Sequence, residues 1–312
     1  EDFCRQAERA AWLCKADLVS QMVGEFPKLQ GVMGRVYAGE QGEPPPVAAA
    51  IEEHYRPTAS GGALPETAAG AVLAIADKLD TICGCFRAGL IPTGAADPYA
   101  LRRQGIGVVQ IMRQRDFRFR LAAVVDRSLG LFGADGPAPA DTAAKIMAFI
   151  EGRLASILGE EGFARDTVAA ILGVPLDSVP AVWQRARALQ DLKDKPDFEP
   201  IAVSFKRVVN IIRRAEGFVP GEVEEGLLGH PSESGLLSAF RSVRGQVQDE
   251  LNGGRYAAAL ARVATLRQPV DAFFDDVMVM VEDAAVRRNR LSLLALVAGL
   301  FDTFADFSKL SA

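Results

Sequence analysis

Residues 91–103 read IPTGAADPYALRR, and residues 104–120 continue QGIGVVQIMRQRDFRFR. Pro92 and Gly94 mark a turn. Asp97-Pro98 then reads as a helix start: a carboxylate accepts from unpaired first-turn amides, and proline at the first helical position loses no needed donor. Beyond it, Tyr99, Leu101, Val108 and Met112 recur at helical rather than alternating spacing, which predicts a helix over 98–113 with those residues toward a core. Arg102 and Arg113 lie eleven residues apart, about three turns, and so share a face. From Arg87 to Arg120 there are seven arginines against two acids, Asp97 and Asp116. Such guanidinium groups either pair with acids on neighbouring helices or meet phosphate oxygens bidentately.

The same period runs through nearly the whole chain. Amphipathic segments recur at 3–23, 46–54, 66–86, 98–113, 141–158, 182–192, 198–214, 232–251, 256–266, 269–281 and 284–307. Breakers separate them, at 42–46, 60–62, 136–137 and 252–254. No convincing strand pair interrupts the pattern, so the fold class is all-α. The composition shift at 133–139 (GADGPAP) is the best candidate boundary, and 193–197 (KDKPD) is a weaker one. The expected division is 1–135 and 136–312, with 136–195 as a candidate helical linker.

Thirty-five Lys and Arg against 40 Asp and Glu leave a formal charge of −5 over 312 residues. That excludes a uniformly nucleic-acid-coated surface while leaving room for a locally basic site. The longest apolar run, 291–301, falls short of the ~20 residues a membrane span needs. No secretory signal is visible, and the opening Glu1-Asp2-Phe3 reads as the interior of a longer protein. Cys4, Cys14, Cys83 and Cys85 form no CxxC pair, so they read as reduced thiols rather than zinc ligands. No metal site is expected.

In the second half, 198–214 predicts an amphipathic helix. Phe205, Val208, Val209 and Ile212 suit the packed side, leaving Lys206, Arg207, Asn210, Arg213 and Arg214 elsewhere. Those basic groups form either a solvated face or a phosphate contact, and Asn210 has the donor and acceptor to read a base edge. Phe273, Phe274, Val277 and Met280 are spaced for burial. Asp283 reads as the N-cap of the last helix, with Arg287 four residues on and able to pair with it. His230 reads as a loop residue, either exposed or stacking on a base.

Several long strings, in order, carry a resemblance. They are CKADLVSQMVGEFPKLQGVMGRVYA (14–38), EEHYRP (52–57), LPETAAGAVLAIADKLDTICGCF (64–86), GLIPTGAADPYALRR (89–103), FKRVVNII (205–212) and FFDDVMVMVEDAAVRRNRLSLL (273–294). Together they resemble the beta subunit of bacterial glycyl-tRNA synthetases; residues 115–195 are weakly marked. Where relatives commonly carry a lysine before Asp-Pro and Ala-Ala after the paired arginines, this sequence has Ala96 and Gln104-Gly105. A glycine at 105 is expected to weaken the helix by about 1 kcal/mol relative to alanine.

The resemblance implies the C-terminal half of that subunit: an HD-like helical domain followed by a helical anticodon-binding domain. HD hydrolases hold a metal through histidines and aspartates, including an adjacent His-Asp pair. Here residues 11–17 read AWLCKAD, and Lys15 is no ligand at neutral pH. The expected HD-like domain is therefore degenerate, with Lys15, Asp17, His54, Asp77 and Asp80 in a structural polar network. Residues 25–34 (EFPKLQGVMG) lack the setting of a phosphate loop, and Gly31 and Gly34 instead suit close helix packing.

The functional expectation is a non-catalytic, tRNA-binding portion of a glycine-tRNA ligase. The candidate RNA-binding residues are Arg102, Arg103, Arg113, Lys206, Arg207, Asn210, Arg213, Arg214, Arg287 and Arg290. The resemblance implies tRNA-Gly and the alpha subunit as partners, in an assembly of two alpha and two beta subunits in the cytoplasm. It implies no cofactor in this part of the chain, with ATP and Mg at the alpha subunit, which activates glycine. The alternative reading is an HD-type metal-dependent phosphohydrolase.

Overall fold

The computed structural model describes residues 2–59, 61–132, 138–176, 178–196, 198–215 and 217–311. Among these the fold is all-α. No strand is present, and a lone bridge joins Thr93 to Ala96 inside the loop of the IPTG turn.

Contacts gather the chain into two compact units, Glu1–Ile157 with Asp177–Pro180, and Leu158–Leu176 with Ala181–Ala312. The boundary anticipated at 133–139 falls largely on residues 133–137, outside the described residues, as do Ser60 and Asp197 of two other expected connectors.

The helices of the first unit are α1 (Asp2–Leu13), α2 (Gln21–Glu25), α3 (Val32–Glu40), α4 (Pro45–Glu53), α5 (Ala68–Arg87), α6 (Leu101–Gln114), α7 (Leu121–Leu129) and most of α8 (Pro139–Glu160). The 20-residue α5 is its centre, packing against α1, α4, α6 and α7. Ile75, Leu79, Ile82 and Phe86 project from α5 at the spacing of one helical face, and all are buried. Thr67 caps α5 by accepting from the Gly70 amide at 2.9 Å, and the buried Glu53 carboxylate in turn accepts from the Thr67 hydroxyl at 2.6 Å.

The segment expected as one helix over 3–23 breaks after Leu13 into a 3₁₀ turn and the short α2, where Ser20 is the N-cap. The break places the buried Asp17 carboxylate where its Oδ2 accepts from the amides of Gly31 (2.6 Å) and Gly34 (3.2 Å), satisfying donors at the start of α3. Both glycines sit at a close approach, as the sequence suggested. A Cβ on Gly31, at φ +78°, would lie 2.6 Å from the Tyr55 ring, and one on Gly34 would lie 2.7 Å from Ile51.

Asp97-Pro98 departs from its expected role. The helix begins at Leu101, three residues later, after Ala100 in a left-handed conformation. Asp97 nevertheless serves that helix: its carboxylate reaches forward to accept from the Leu101 and Arg102 amides at 2.8 and 3.0 Å. Leu101, Val108 and Met112 are buried as expected, whereas Tyr99, lying before the helix, is exposed. Gly105, expected to weaken the helix, allows close packing of α6 on α8: a Cβ there would sit 3.0 Å from Phe149 and 3.2 Å from Arg153.

The second unit holds α9 (Arg165–Ile171), α10 (Val179–Lys193, from Ala181 on), α11 (Phe198–Arg214), α12 (Pro231–Asn252), α13 (Tyr256–Ala264), α14 (Arg267–Asp276) and α15 (Ala284–Phe301). Its core centres on Phe205 of α11, stacked on Phe301 of α15 at 3.8 Å and edge-on to Phe307 at 5.3 Å. Phe273, Phe274 and Val277 are buried, but Met280 is half-exposed. The reason is local: α14 ends at Asp276, so helical spacing no longer governs residue 280.

Candidate nucleic-acid interface

Beside the end of α11 and the start of α15 is a cavity of about 440 Å³, lined by Arg214, Phe218, Val219, Met280, Arg287 and Arg288. Arg214 ends α11, and after Gly217, at φ +71°, the chain runs as a loop that leaves Val219 exposed. Met280 comes from the irregular link after α14, and Arg287 and Arg288 from the start of α15. Three guanidinium groups thus surround a patch of apolar and aromatic surface. A single-stranded nucleic acid asks for that combination: cations for phosphate, apolar faces for bases.

Arg287 is fixed in this wall. Its Nη1 donates to the Val281 carbonyl at 2.6 Å and the Glu282 carbonyl at 3.2 Å. It does not make the expected pair with Asp283, whose carboxylate caps the amides of Ala285 and Val286 at 2.9 and 3.1 Å. Arg214 and Arg288 make no ion pair among the described residues, and Arg214 is exposed. Arg288 is not among the residues the sequence singles out. Its signal is its place beside Arg287 at the start of a capped helix.

The other basic candidates divide sharply. Arg213 donates to Asp306 at 2.9 Å and to the Ser308 hydroxyl at 2.6 Å, tying α11 to the C-terminal turn. Burial alone would raise the Asp306 carboxyl, but the Ser308 hydroxyl and Arg213 hold it below its ordinary value. Arg290 pairs with the fully buried Glu233 at 2.6 Å and donates to the Met278 carbonyl at 2.9 Å. Arg207 is exposed, with its guanidinium 4.1 Å from the Phe274 ring centroid. Lys206 is half-buried, and Asn210 is exposed. His230 is the N-cap of α12, its Nδ1 accepting from the Ser232 amide at 3.3 Å.

In the first unit Arg102 donates to the Gly94 carbonyl at 2.8 Å, closing the turn before its own helix. Arg103 is exposed, and Arg113 is half-buried. Lys15 does not contact Asp17. Its ammonium lies 2.7 Å from the Asp77 carboxylate and 5.0 Å from the Tyr55 ring centroid. His54 is buried, its Nδ1 2.6 Å from the Ile51 carbonyl. Because a carbonyl accepts only, Nδ1 carries the proton and Nε2 remains as a buried acceptor with no partner among the described residues. Burial holds this imidazole below its usual range. Asp80 is exposed and stands outside the network expected for it. These residues do not fit a divalent metal, since the Lys15 ammonium already holds Asp77 and His54 has no cluster of further His, Cys, Asp or Glu ligands beside it among the described residues.

Residues 1–173 match the family model described as glycyl-tRNA synthetase beta subunit, and residues 201–307 match that of the DALR anticodon binding domain. The chain belongs to the glycyl-tRNA synthetase beta subunit family. It is 49% identical over 310 residues to the glycine–tRNA ligase beta subunit of Desulforapulum autotrophicum, covering 99% of this chain and 45% of the relative. It is 49% identical over 311 residues to that of Desulfatibacillum aliphaticivorans, covering 98% and 44%. For Geobacter metallireducens the identity is 47% over 308 residues, with 98% and 44% covered. The chain therefore spans just under half the length of these beta-subunit relatives. The arginine-lined cavity at 214–291 lies within the DALR-matched segment. No helix among the described residues is long and apolar enough to cross a membrane.

Proposed function

We propose that this chain is a tRNA-binding portion of a cytoplasmic glycine-tRNA ligase beta subunit, holding tRNA-Gly for an alpha subunit that activates and transfers glycine. In this reading the assembly contains two alpha and two beta subunits, ATP and Mg act at the alpha subunit, and the present residues carry no chemistry. The first unit corresponds to a degenerate HD-like domain and the second to the anticodon-binding domain. One observation carries the RNA assignment: the cavity in which Arg214, Arg287 and Arg288 surround Phe218, Val219 and Met280, inside the DALR-matched segment. Arginine supplies phosphate affinity there, and the apolar wall receives an unstacked base.

The metal-hydrolase alternative has less support, because Lys15 neutralises Asp77, one of the carboxylates such a site would need. Titration of the chain with tRNA-Gly and a non-cognate tRNA over a salt series tests the proposal. Expected are salt-sensitive binding and a preference for tRNA-Gly, with affinity reduced by Arg288→Gln. Absence of binding to either tRNA at low salt would remove the RNA role. Stoichiometric metal together with phosphatase turnover would restore the alternative.

A further inference from the structure

A second cavity lies wholly in the first unit, between the end of α4, the middle of α5 and the start of α6. Its volume is about 270 Å³, and its polar lining includes Lys15, Lys78, Arg103, Asp77, Thr58 and Thr81. Three cations and one carboxylate leave an excess of positive charge, and the carboxylate is already held by Lys15 at 2.7 Å.

Lys78 is the unusual member. It is 5% exposed, so its ammonium has lost nearly all its water, yet it donates to a neutral group, the His54 carbonyl at 3.0 Å. It makes no ion pair among the described residues. Lysine is rarely buried without a counter-charge. Its ammonium has three donors and one carbonyl to receive them. Arg103 forms the mouth, exposed and likewise without an ion pair among the described residues. The Thr58 hydroxyl adds a neutral donor, whereas that of Thr81 is already given to the Asp77 carbonyl at 3.0 Å.

We infer that this cavity binds a phosphate group, with Lys78 at its floor, Arg103 and Lys15 at its sides, and Thr58 as a hydroxyl donor. Phosphate suits it better than a carboxylate ligand, because the donors converge from several directions and a tetrahedral oxyanion offers an oxygen to each. The volume accepts the phosphate with part of an attached sugar. It shares no lining residue with the arginine-lined cavity of the second unit and does not depend on what that cavity binds. The phosphate belongs either to an RNA backbone or to a free phosphomonoester.

The test titrates the 312-residue chain in phosphate-free buffer with inorganic phosphate, AMP and tRNA-Gly. It compares wild type with Lys78→Met, Arg103→Gln and the control Arg127→Gln, an exposed arginine of the same unit outside the cavity lining, each checked for folding by its thermal melt. Loss of Lys78 or Arg103 is expected to weaken at least one of the three ligands roughly tenfold or more, the size of a lost charge-assisted contact, while Arg127→Gln leaves phosphate and AMP unaffected. Binding to wild type is also expected to take up protons near pH 8, detected as heats that depend on buffer ionisation. A merely structural lysine would not do this. Displacement of AMP by excess tRNA-Gly assigns the site to an RNA phosphate, and simultaneous binding assigns it to a free phosphomonoester. Unchanged affinity for all three ligands in folded Lys78→Met and Arg103→Gln overturns the inference. Because Arg103 is exposed, its variant tests the site even if Lys78→Met does not fold. If the second unit failed to bind RNA, the phosphate and AMP titrations would still decide this site.

Discussion

Glu233 of α12 and Arg290 of α15 form an ion pair at 2.6 Å in which the carboxylate is fully buried. The second Glu233 oxygen accepts from the His230 amide at 2.7 Å, so one side chain both caps α12 and anchors α15. Removing one partner from such a pair strands a charge, at a cost of about 3–5 kcal/mol. Glu233→Ala and Arg290→Ala are each expected to lower the urea midpoint strongly. The double variant should cost much less than the sum, which a double-mutant cycle measures. Additive losses would show that the pair is not coupled.

Two glycines should respond to alanine in opposite directions. Gly31 has φ +78° and would place a Cβ 2.6 Å from Tyr55, so Gly31→Ala combines left-handed strain with overpacking. Roughly 1–3 kcal/mol of destabilisation follows from the overpacking alone. Gly235 lies inside α12, where an added Cβ would have nothing within 4 Å. Gly235→Ala is expected to add about 0.5–1 kcal/mol by restricting the unfolded chain and favouring helix. Equilibrium denaturation distinguishes the two signs.

The helical class was legible because apolar periodicity is written locally; α11 spans Phe198–Arg214 as its pattern indicates. Short helices were not. Residues 32–40, 121–129 and 165–171 are only two or three turns long, and their start signals are not in the local sequence. The amides at the start of α3, for instance, bond to Asp17, far back in the chain. The candidate interface was legible in residue type but not in role. Arg213 and Arg214 look alike in the sequence, yet Asp306 and Ser308, over ninety residues away, engage only the first. Likewise Lys78 stands unremarked in ADKLD, because the His54 carbonyl and Arg103 meet it only after folding.

Lys78 also predicts a pH effect on stability. Burial pushes its ammonium down to about 8 from the ordinary 10.5, against the attraction of Asp77 and with further repulsion from Lys15 and Arg103. Between these values the unfolded chain binds the proton more tightly than the folded one, so stability rises with pH across that window. The slope for one proton is at most about 1.4 kcal/mol per pH unit. Tyr55, raised by burial and by Asp17 and Asp77, acts in the opposite direction above pH 10. Urea denaturation at pH 7, 8, 9 and 10 in phosphate-free buffer should therefore show wild type gaining on Lys78→Met from about pH 8 upward. A constant difference would place the Lys78 proton at its ordinary affinity.

The neighbours Arg213 and Arg214 separate fold from recognition. Arg213 is more than half exposed but bonded to Asp306 and Ser308, so Arg213→Ala should cost about 1 kcal/mol of stability at most. Its effect on tRNA affinity, measured per folded molecule, is expected to be small. Arg214 is exposed on the cavity wall with no ion pair among the described residues, and Arg214→Ala should alter stability by less than about 0.5 kcal/mol. Instead it should weaken tRNA binding and reduce the salt slope by about one. Thermal melts and tRNA titrations on the same two variants separate the two roles. If Arg213→Ala weakens RNA binding while Arg214→Ala leaves it intact, the phosphate contact lies on the Asp306 side of α11 and the cavity assignment falls.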